Sequence, residues 1–201
     1  MFARRAISGS LRAPLAPASA AREDHPMNKS IFVLALLPVA AQAQSPAYHD
    51  PGMKFITQVA IVCRDLDATS KRWAAVLGVD PPQIRTTKPG HDVKVTVHGH
   101  PSSGRAKLAF LKLGPQVTLE LIQPLGGDTS WQQFLDKNGE GVQHIAFQVA
   151  DVEKSVKAFS EAGMPVLHQG RYDDDSGSYT YIDSAKPLGV TLELLHSEPK
   201  K

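Results

Sequence analysis

The chain has 201 residues, 42% hydrophobic and 21% charged, enough for one ordinary soluble domain or two small modules sharing a core. Its net charge of +2 and pI near 8.7 would suit an anionic partner. Residues 1–43, however, hold five Lys/Arg and two acids, leaving 17 basic and 18 acidic residues in a near-neutral body that offers no electrostatic case for nucleic acid. The only cysteine, Cys63, excludes an intramolecular disulfide, so the fold must be stable without one.

The N-terminal region reads as an export signal. Met27-Asn28-Lys29-Ser30 gives a short charged start, residues 31–40 an apolar stretch and Ala41-Gln42-Ala43 an A-x-A cleavage pattern. The apolar run is too short for a membrane anchor, and no cysteine at the cleavage site invites a lipid. The expectation is cleavage after Ala43 and a periplasmic or secreted chain, free of the membrane once the signal is removed. Residues 1–26, rich in Arg, Ala and Ser, carry the alternative of a mitochondrial transit peptide; the clean signal beginning at Met27 favours Met27 as the true start.

The body is expected over residues 54–197. Residues 58–63 read as a strand running into a helix capped by Asp65, with Leu66, Thr69, Trp73, Val76 and Leu77 on one face and Gly78 ending it. Extended segments follow at 83–86, 94–97, 106–113 and 116–123, with Pro101-Ser102-Ser103-Gly104 as a turn or loop. Between residues 128 and 138, Trp131, Phe134 and Leu135 have helical spacing and anchor a connecting helix. The pattern then repeats: a strand from His144, a helix capped by Asp151 with Val152, Val156, Phe159 and Ala162 on its face, Gly163 ending it, and strands near 166–171, 178–183 and 189–195. Two modules, 54–123 and 141–197, joined by a linker at 124–140, thus share the order strand, helix, strand, strand, strand.

The repeat is sharpest in Val-Thr-Leu-Glu-Leu, which occurs at 117–121 and again at 190–194. Each copy puts a glutamate inside an apolar strand, where an unpaired carboxylate costs several kcal/mol, roughly, unless a cation, hydrogen-bond donor or metal meets it. The strand period of two sets Val117, Leu119 and Leu121 toward the module's helix and Thr118, Glu120 and Ile122 toward the opposite, concave face. Glu193 takes the equivalent place in the second copy. On the opening strands Gln58 and His144 correspond, so Gln58, Glu120, His144 and Glu193 form two equivalent pairs of candidate ligands.

This pattern resembles the vicinal oxygen chelate (VOC) superfamily, which includes glyoxalase I, methylmalonyl-CoA epimerase, extradiol dioxygenases and bleomycin-resistance proteins. The resemblance spans residues 54–197, and the stretch from Pro124 to Phe147 is similar to the epimerase-like branch. It implies an α+β fold of two βαβββ modules forming a cupped mixed sheet, the glyoxalase/bleomycin resistance/dioxygenase fold. It also implies a divalent metal held by Gln58, Glu120, His144 and Glu193, with Zn, Ni, Co or Mn all suited to those donors. Gln58 stands where extradiol dioxygenases have histidine, which disfavours oxygen chemistry. Epimerase-like members have His first and Gln second, whereas the Gln, Glu, His, Glu set is that of some glyoxalase I enzymes.

The implied activity is that of an exported, metal-dependent lyase or isomerase acting on a small oxygen-chelating substrate through an enolate or enediolate. Glu193 is the first choice for the base and Glu120 the second, by analogy with glyoxalase I. The alternative is a non-catalytic, ligand-sequestering protein of the bleomycin-resistance type, although such a pocket has no need of four chelating positions. Export argues against glutathione or CoA-thioester substrates, and residues 85–104 contain no glutamate to serve as the epimerases' additional acid. Arg171 and Tyr181 are candidates for contacting an anionic substrate and His100, beside a turn, is a third; surface or packing roles compete for each. A homodimer is compatible with the resemblance, since some relatives share their sites between subunits. Asp173-Asp174-Asp175 lacks the spacing and terminal glutamate of a calcium loop and reads as a solvated turn.

Overall fold

The computed structural model describes residues 49–199; the expected signal, its cleavage point and the transit-peptide alternative lie outside the described residues. The first strand, β1 (Ile56–Val62), leads into α1 (Leu66–Leu77). Asp65 caps that helix by accepting from the Ala68 amide at 2.9 Å, and Gly78 ends it in the left-handed region at φ 68°, which a residue with a Cβ would adopt only under strain. The second half repeats the unit with β7 (Gly141–Gln148), a cap by Asp151 onto the Lys154 amide and α3 (Val152–Glu161). The linker helix α2 (Ser130–Asn138) is capped by Thr129, whose hydroxyl accepts from the Gln132 amide.

The remaining strands are β2 (Arg85–Thr86), β3 (Thr96–Val97), β4 (His100–Pro101), β5 (Ala106–Leu113), β6 (Val117–Pro124), β8 (Val166–Arg171), β9 (Gly177–Ile182) and β10 (Thr191–Ser197). A short helix, α4 (Ala185–Leu188), which periodicity does not announce, precedes β10. All ten strands form one mixed sheet in the order β2-β5-β6-β1-β7-β10-β9-β8-β3-β4. The two halves meet where β1 and β7 pair antiparallel, and each opening strand lies parallel to its own glutamate strand, β1 to β6 and β7 to β10. This is the curled α+β sheet expected from the repeat.

Strand alternation separates two kinds of core. On the outer face Leu119 and Leu121 pack with Ala109 and Leu111 against Leu66 and Ala74 of α1, and Leu192 and Leu194 pack against Phe159 of α3. On the concave face Ala60, Val62, Leu108 and Ile122 meet Trp131 and Leu135 of α2, with Tyr181 from the other half. The helices therefore remove the outer face from water, while α2 fills part of the cup and leaves the rest as a cavity.

The clearest departure from expectation lies between β2 and β5. Residues 94–97 do not join the first half's sheet: Gly90–Val93 form a 3₁₀ turn, and the β3–β4 hairpin crosses the cup to pair with β8 of the second half, Thr96 opposite Gln169 and Val97 opposite His168. The predicted strand at 83–86 shrinks to Arg85–Thr86 because the chain departs early to make this crossing. The hairpin covers the β8 edge, and the exposed edge it creates is only two residues long and carries Pro101, which limits further pairing. Its return is fixed where the Ser102 hydroxyl donates to the Asp128 carbonyl and accepts from the Gly104 amide.

Gly104 is packed so closely against the Thr129 side chain that a Cβ there would collide with it. Gly104→Ala is expected to destabilise the fold by about 1–3 kcal/mol, the usual cost of overpacking. Thermal unfolding checks this; an unchanged Tm would show that the crossing tolerates displacement.

Candidate metal centre

The seam between the halves places the candidate residues. Across it Ala60 lies opposite both Glu120 and His144, while Ala146 lies opposite both Gln58 and Glu193. The two alanines are fully buried, and their small side chains leave room above the sheet into which the longer neighbours lean. Glu120, His144 and Glu193 converge there, their ligating atoms all within 4.8 Å of one another. His144 Nε2 lies 3.4 Å from a Glu120 carboxylate oxygen and 3.1 Å from one of Glu193. Gln58, from its equivalent place on β1, lines the same cavity with both glutamates.

Burial makes the cluster unusual: His144 is 0% exposed, Glu193 3% and Glu120 7%. With both acids ionised, this buried cluster retains excess negative charge even when the imidazole is protonated, and a divalent cation would reverse that balance. Hydrogen bonding points the same way. Gln143 Oε1 lies 2.5 Å from His144 Nδ1, so Nδ1–H donates to it and Nε2 is the ring atom directed at the glutamates. His144 Nε2 and Glu193 Oε2, although 3.1 Å apart, are buried and not aligned for a hydrogen bond with each other or with any other described group, a misalignment worth about 1–3 kcal/mol for each. Two orphaned donor atoms of ligand type, sharing one point, fit a metal.

Proton affinities follow from the same packing. Burial raises Glu120 above the ordinary carboxylate range, aided by the Glu193 charge and opposed by the His144 contact. For His144, burial pulls downward, but Glu193 and Glu120 together outweigh it and raise the imidazolium to about 9. Tyr181 is held far above the usual phenol range by burial and by Glu193 and Glu120, so it stays protonated.

Glu120 and Glu193 of the cluster line a cavity of about 380 Å³, within the size range of small-molecule sites. Of the residues expected to contact substrate, Tyr181 lines the cavity, is 2% exposed, and its hydroxyl accepts from Trp131 Nε1 at 3.2 Å. Arg171 borders the mouth but is bound to Asp175 and Glu198, at 2.5 and 2.6 Å, which satisfy its guanidinium internally. His100 is exposed on β4 and does not line the cavity. Trp131 and His168 form part of the wall, and Arg85, stacked 5.1 Å from the centre of the Phe110 ring, forms part of the rim. No sequence pattern assigns these three to the cavity wall.

Curled mixed sheet, duplicated βαβββ unit and a seam that gathers buried ligand-type side chains define the class of domain. The profile of the Glyoxalase/Bleomycin resistance protein/Dioxygenase superfamily matches residues 57–181, more than half of the chain, and the protein belongs to that superfamily. It is similar to an ethylmalonyl-CoA/methylmalonyl-CoA epimerase of Cereibacter sphaeroides, 32% identical over 118 residues that cover 57% of this chain and 75% of the relative. A 2-epi-5-epi-valiolone epimerase of Actinomyces sp is 27% identical over 150 residues, covering 73% and 81%. Among solved structures, a Streptomyces coelicolor methylmalonyl-CoA epimerase in complex with 2-nitronate-propionyl-CoA superposes with a TM-score of 0.52 at 28% identity, covering 73% of this chain and 99% of that one. The relatives thus place the chain beside enzymes of the isomerase kind, in the epimerase-like branch.

A proton occupying His144 competes with any metal. Because its folded value of about 9 exceeds the unfolded value near 6.5, the metal-free protein gains stability below about pH 6.5 and loses that gain as pH rises through about 9. Apparent affinity for a divalent ion should therefore climb about tenfold per pH unit below 9 and then level off. Gln143→Ala, which frees the ring, should weaken metal binding about 10- to 100-fold with all direct ligands intact. Calorimetric titration with zinc across pH checks both; a flat pH profile would contradict the proton assignment.

Proposed function

We propose that the protein is a divalent-metal-dependent enzyme of the isomerase or lyase type that moves a proton at a carbon next to a chelated oxygen of a small substrate. The observation that carries this reading is the convergence of buried Glu120, His144 and Glu193 on one point, with His144 Nε2 and Glu193 Oε2 close together but not aligned for a hydrogen bond. Gln58, Glu120, His144 and Glu193 would hold the ion, whose chemistry when bound is to polarise the substrate's vicinal oxygens and offset charge developing on them. The epimerase relatives support the proton-transfer class.

The protein's own groups divide the work. Glu193 Oε2, which faces His144 Nε2 at 3.1 Å without an aligned hydrogen bond, is the atom placed to accept a carbon-bound proton and to return it. Glu120 reaches the same point from β6, with β1 and β7 between it and β10, so the two carboxylates approach from opposite sides. Where the product requires the proton on the other face, Glu120 is the second acid, since residues 85–104 contribute no glutamate. His144, fixed through Nδ1 by Gln143, holds the geometry, and the dry aromatic wall around Tyr181 excludes water from the reacting carbon.

The proposal includes export, supported by the three-part signal of residues 27–43. Expression in a bacterium with an export pathway should yield a mature chain beginning at Gln44; an intact N-terminus in the cytoplasmic fraction would remove export from the proposal.

Reconstituted mature protein should contain one divalent ion per chain, measured by elemental analysis. Glu193→Gln should keep the ion and lower proton exchange by about 10²- to 10⁴-fold, whereas His144→Ala should lose the ion. Exchange is read as deuterium incorporation from heavy water into methylmalonyl-CoA and into small 2-oxo and 2-hydroxy acids. Failure to take up stoichiometric metal would sink the enzyme reading and leave ligand sequestration in its place.

A further inference from the structure

One buried titratable group has no part in the chemistry above. His168, on β8, is 0% exposed and borders the same cavity as the glutamates. Its ring is wedged among aromatic side chains, with centroids 4.8 Å from Trp131 and 5.1 Å from Tyr181. Nδ1 lies 2.9 Å from the Ser130 hydroxyl, while Nε2 is buried with no hydrogen-bond partner. An imidazole serving only as packing would be replaced at lower cost by an apolar ring, because an unmet polar atom in a dry wall is destabilising.

The proton on the ring follows from a count of hydrogen-bonding groups. Ser130 is 3% exposed, and among the described residues its hydroxyl meets only His168 Nδ1. If Nδ1 carried the proton, both the serine hydrogen and the Nε2 lone pair would be unmet. If the serine donates to Nδ1, one group alone remains, the Nε2–H.

We infer that His168 is a substrate-contacting residue, its Nε2–H donating to a carbonyl or carboxylate oxygen of the ligand whose vicinal oxygens are chelated at the Glu120–His144–Glu193 centre. The inference rests on the proposed metal-chelate function and names the ligand class: a molecule with a further oxygen acceptor beyond the pair that the ion would take. Burial and the nearby His144 hold the ring neutral, with its value pulled down to about 3, so the donor is an imidazole throughout the working pH range. Ser130 is a positioning residue: it begins α2, just after the Thr129 cap, and so ties the tautomer of a β8 side chain to the linker helix.

Nitrogen NMR of the ¹⁵N-histidine-labelled full-length protein should show His168 as a non-titrating Nε2–H tautomer between pH 5 and 9, without any metal. Adding oxalate, a small vicinal-oxygen dianion, to the zinc-loaded protein should shift the Nε2–H proton downfield. By calorimetry, His168→Phe should bind oxalate at least tenfold more weakly while its zinc affinity stays within about twofold, and His168→Gln, which restores an N–H donor, should recover most of the loss. A resting Nδ1–H tautomer, or equal oxalate affinity in the wild type and His168→Phe, would overturn the inference and leave His168 a core residue. Should the wild type take up no zinc, the functional reading fails separately, and the tautomer measurement still decides for or against the donor.

Discussion

The structure depends on holding Glu120, His144 and Glu193 together out of water. Carboxylates this close repel, and burial raises the cost of every charge; an imidazole between them meets only part of it. The solution is architectural. Leucines at alternate positions of β6 and β10 bind the sheet to α1 and α3, so the glutamates have no direction left but the concave face. A one-residue slip in either strand would turn its glutamate into a helix interface and its leucines into the cavity. The apolar packing thereby enforces an arrangement that electrostatics alone would disperse.

The crossing hairpin extends the same logic. A cup open at both edges would admit water to the cluster and leave the β8 edge unpaired. Instead the chain between β2 and β5 spans the opening, and Val93 and Val95 become part of the cavity wall. Alanines 60 and 146, placed among the long polar side chains, leave the volume that the hairpin and α2 then enclose. The closeness of Gly104 to Thr129 shows how tightly hairpin and linker helix are fitted.

Much of this was legible in the sequence because period two and repeated pentapeptides report directly on strand faces. The Asp65 and Asp151 caps, Leu119 and Leu121 facing α1, and the inward glutamates all follow from local pattern. The hairpin's destination did not, since the alternation of Val93, Val95 and Val97 announces an extended segment but not its partner, and pairing across the cup is set by residues more than seventy positions away. His168 was passed over because a single histidine in a strand has no distinguishing spacing; its importance comes from Ser130 and the cavity, both remote in sequence. Arg171 illustrates the converse: a cation near a site suggests a ligand contact until Asp175 and Glu198 are seen to occupy it.

The duplicated scaffold holds a site that is not symmetrical, and this bears on the shape of what it binds. Glu120 and Glu193 remain equivalent, but between them one half offers the neutral amide of Gln58 and the other the imidazole of His144. The walls diverge further. In the second half β8 runs six residues and presents His168 within an aromatic cluster; in the first half the strand after the helix, β2, is two residues long and brings the exposed cation Arg85 to the rim. One wall carries a buried imidazole among aromatic rings, the other an exposed cation at the rim. A ligand in the cup would therefore meet different groups at its two ends, and the duplicated halves are not interchangeable to what they enclose.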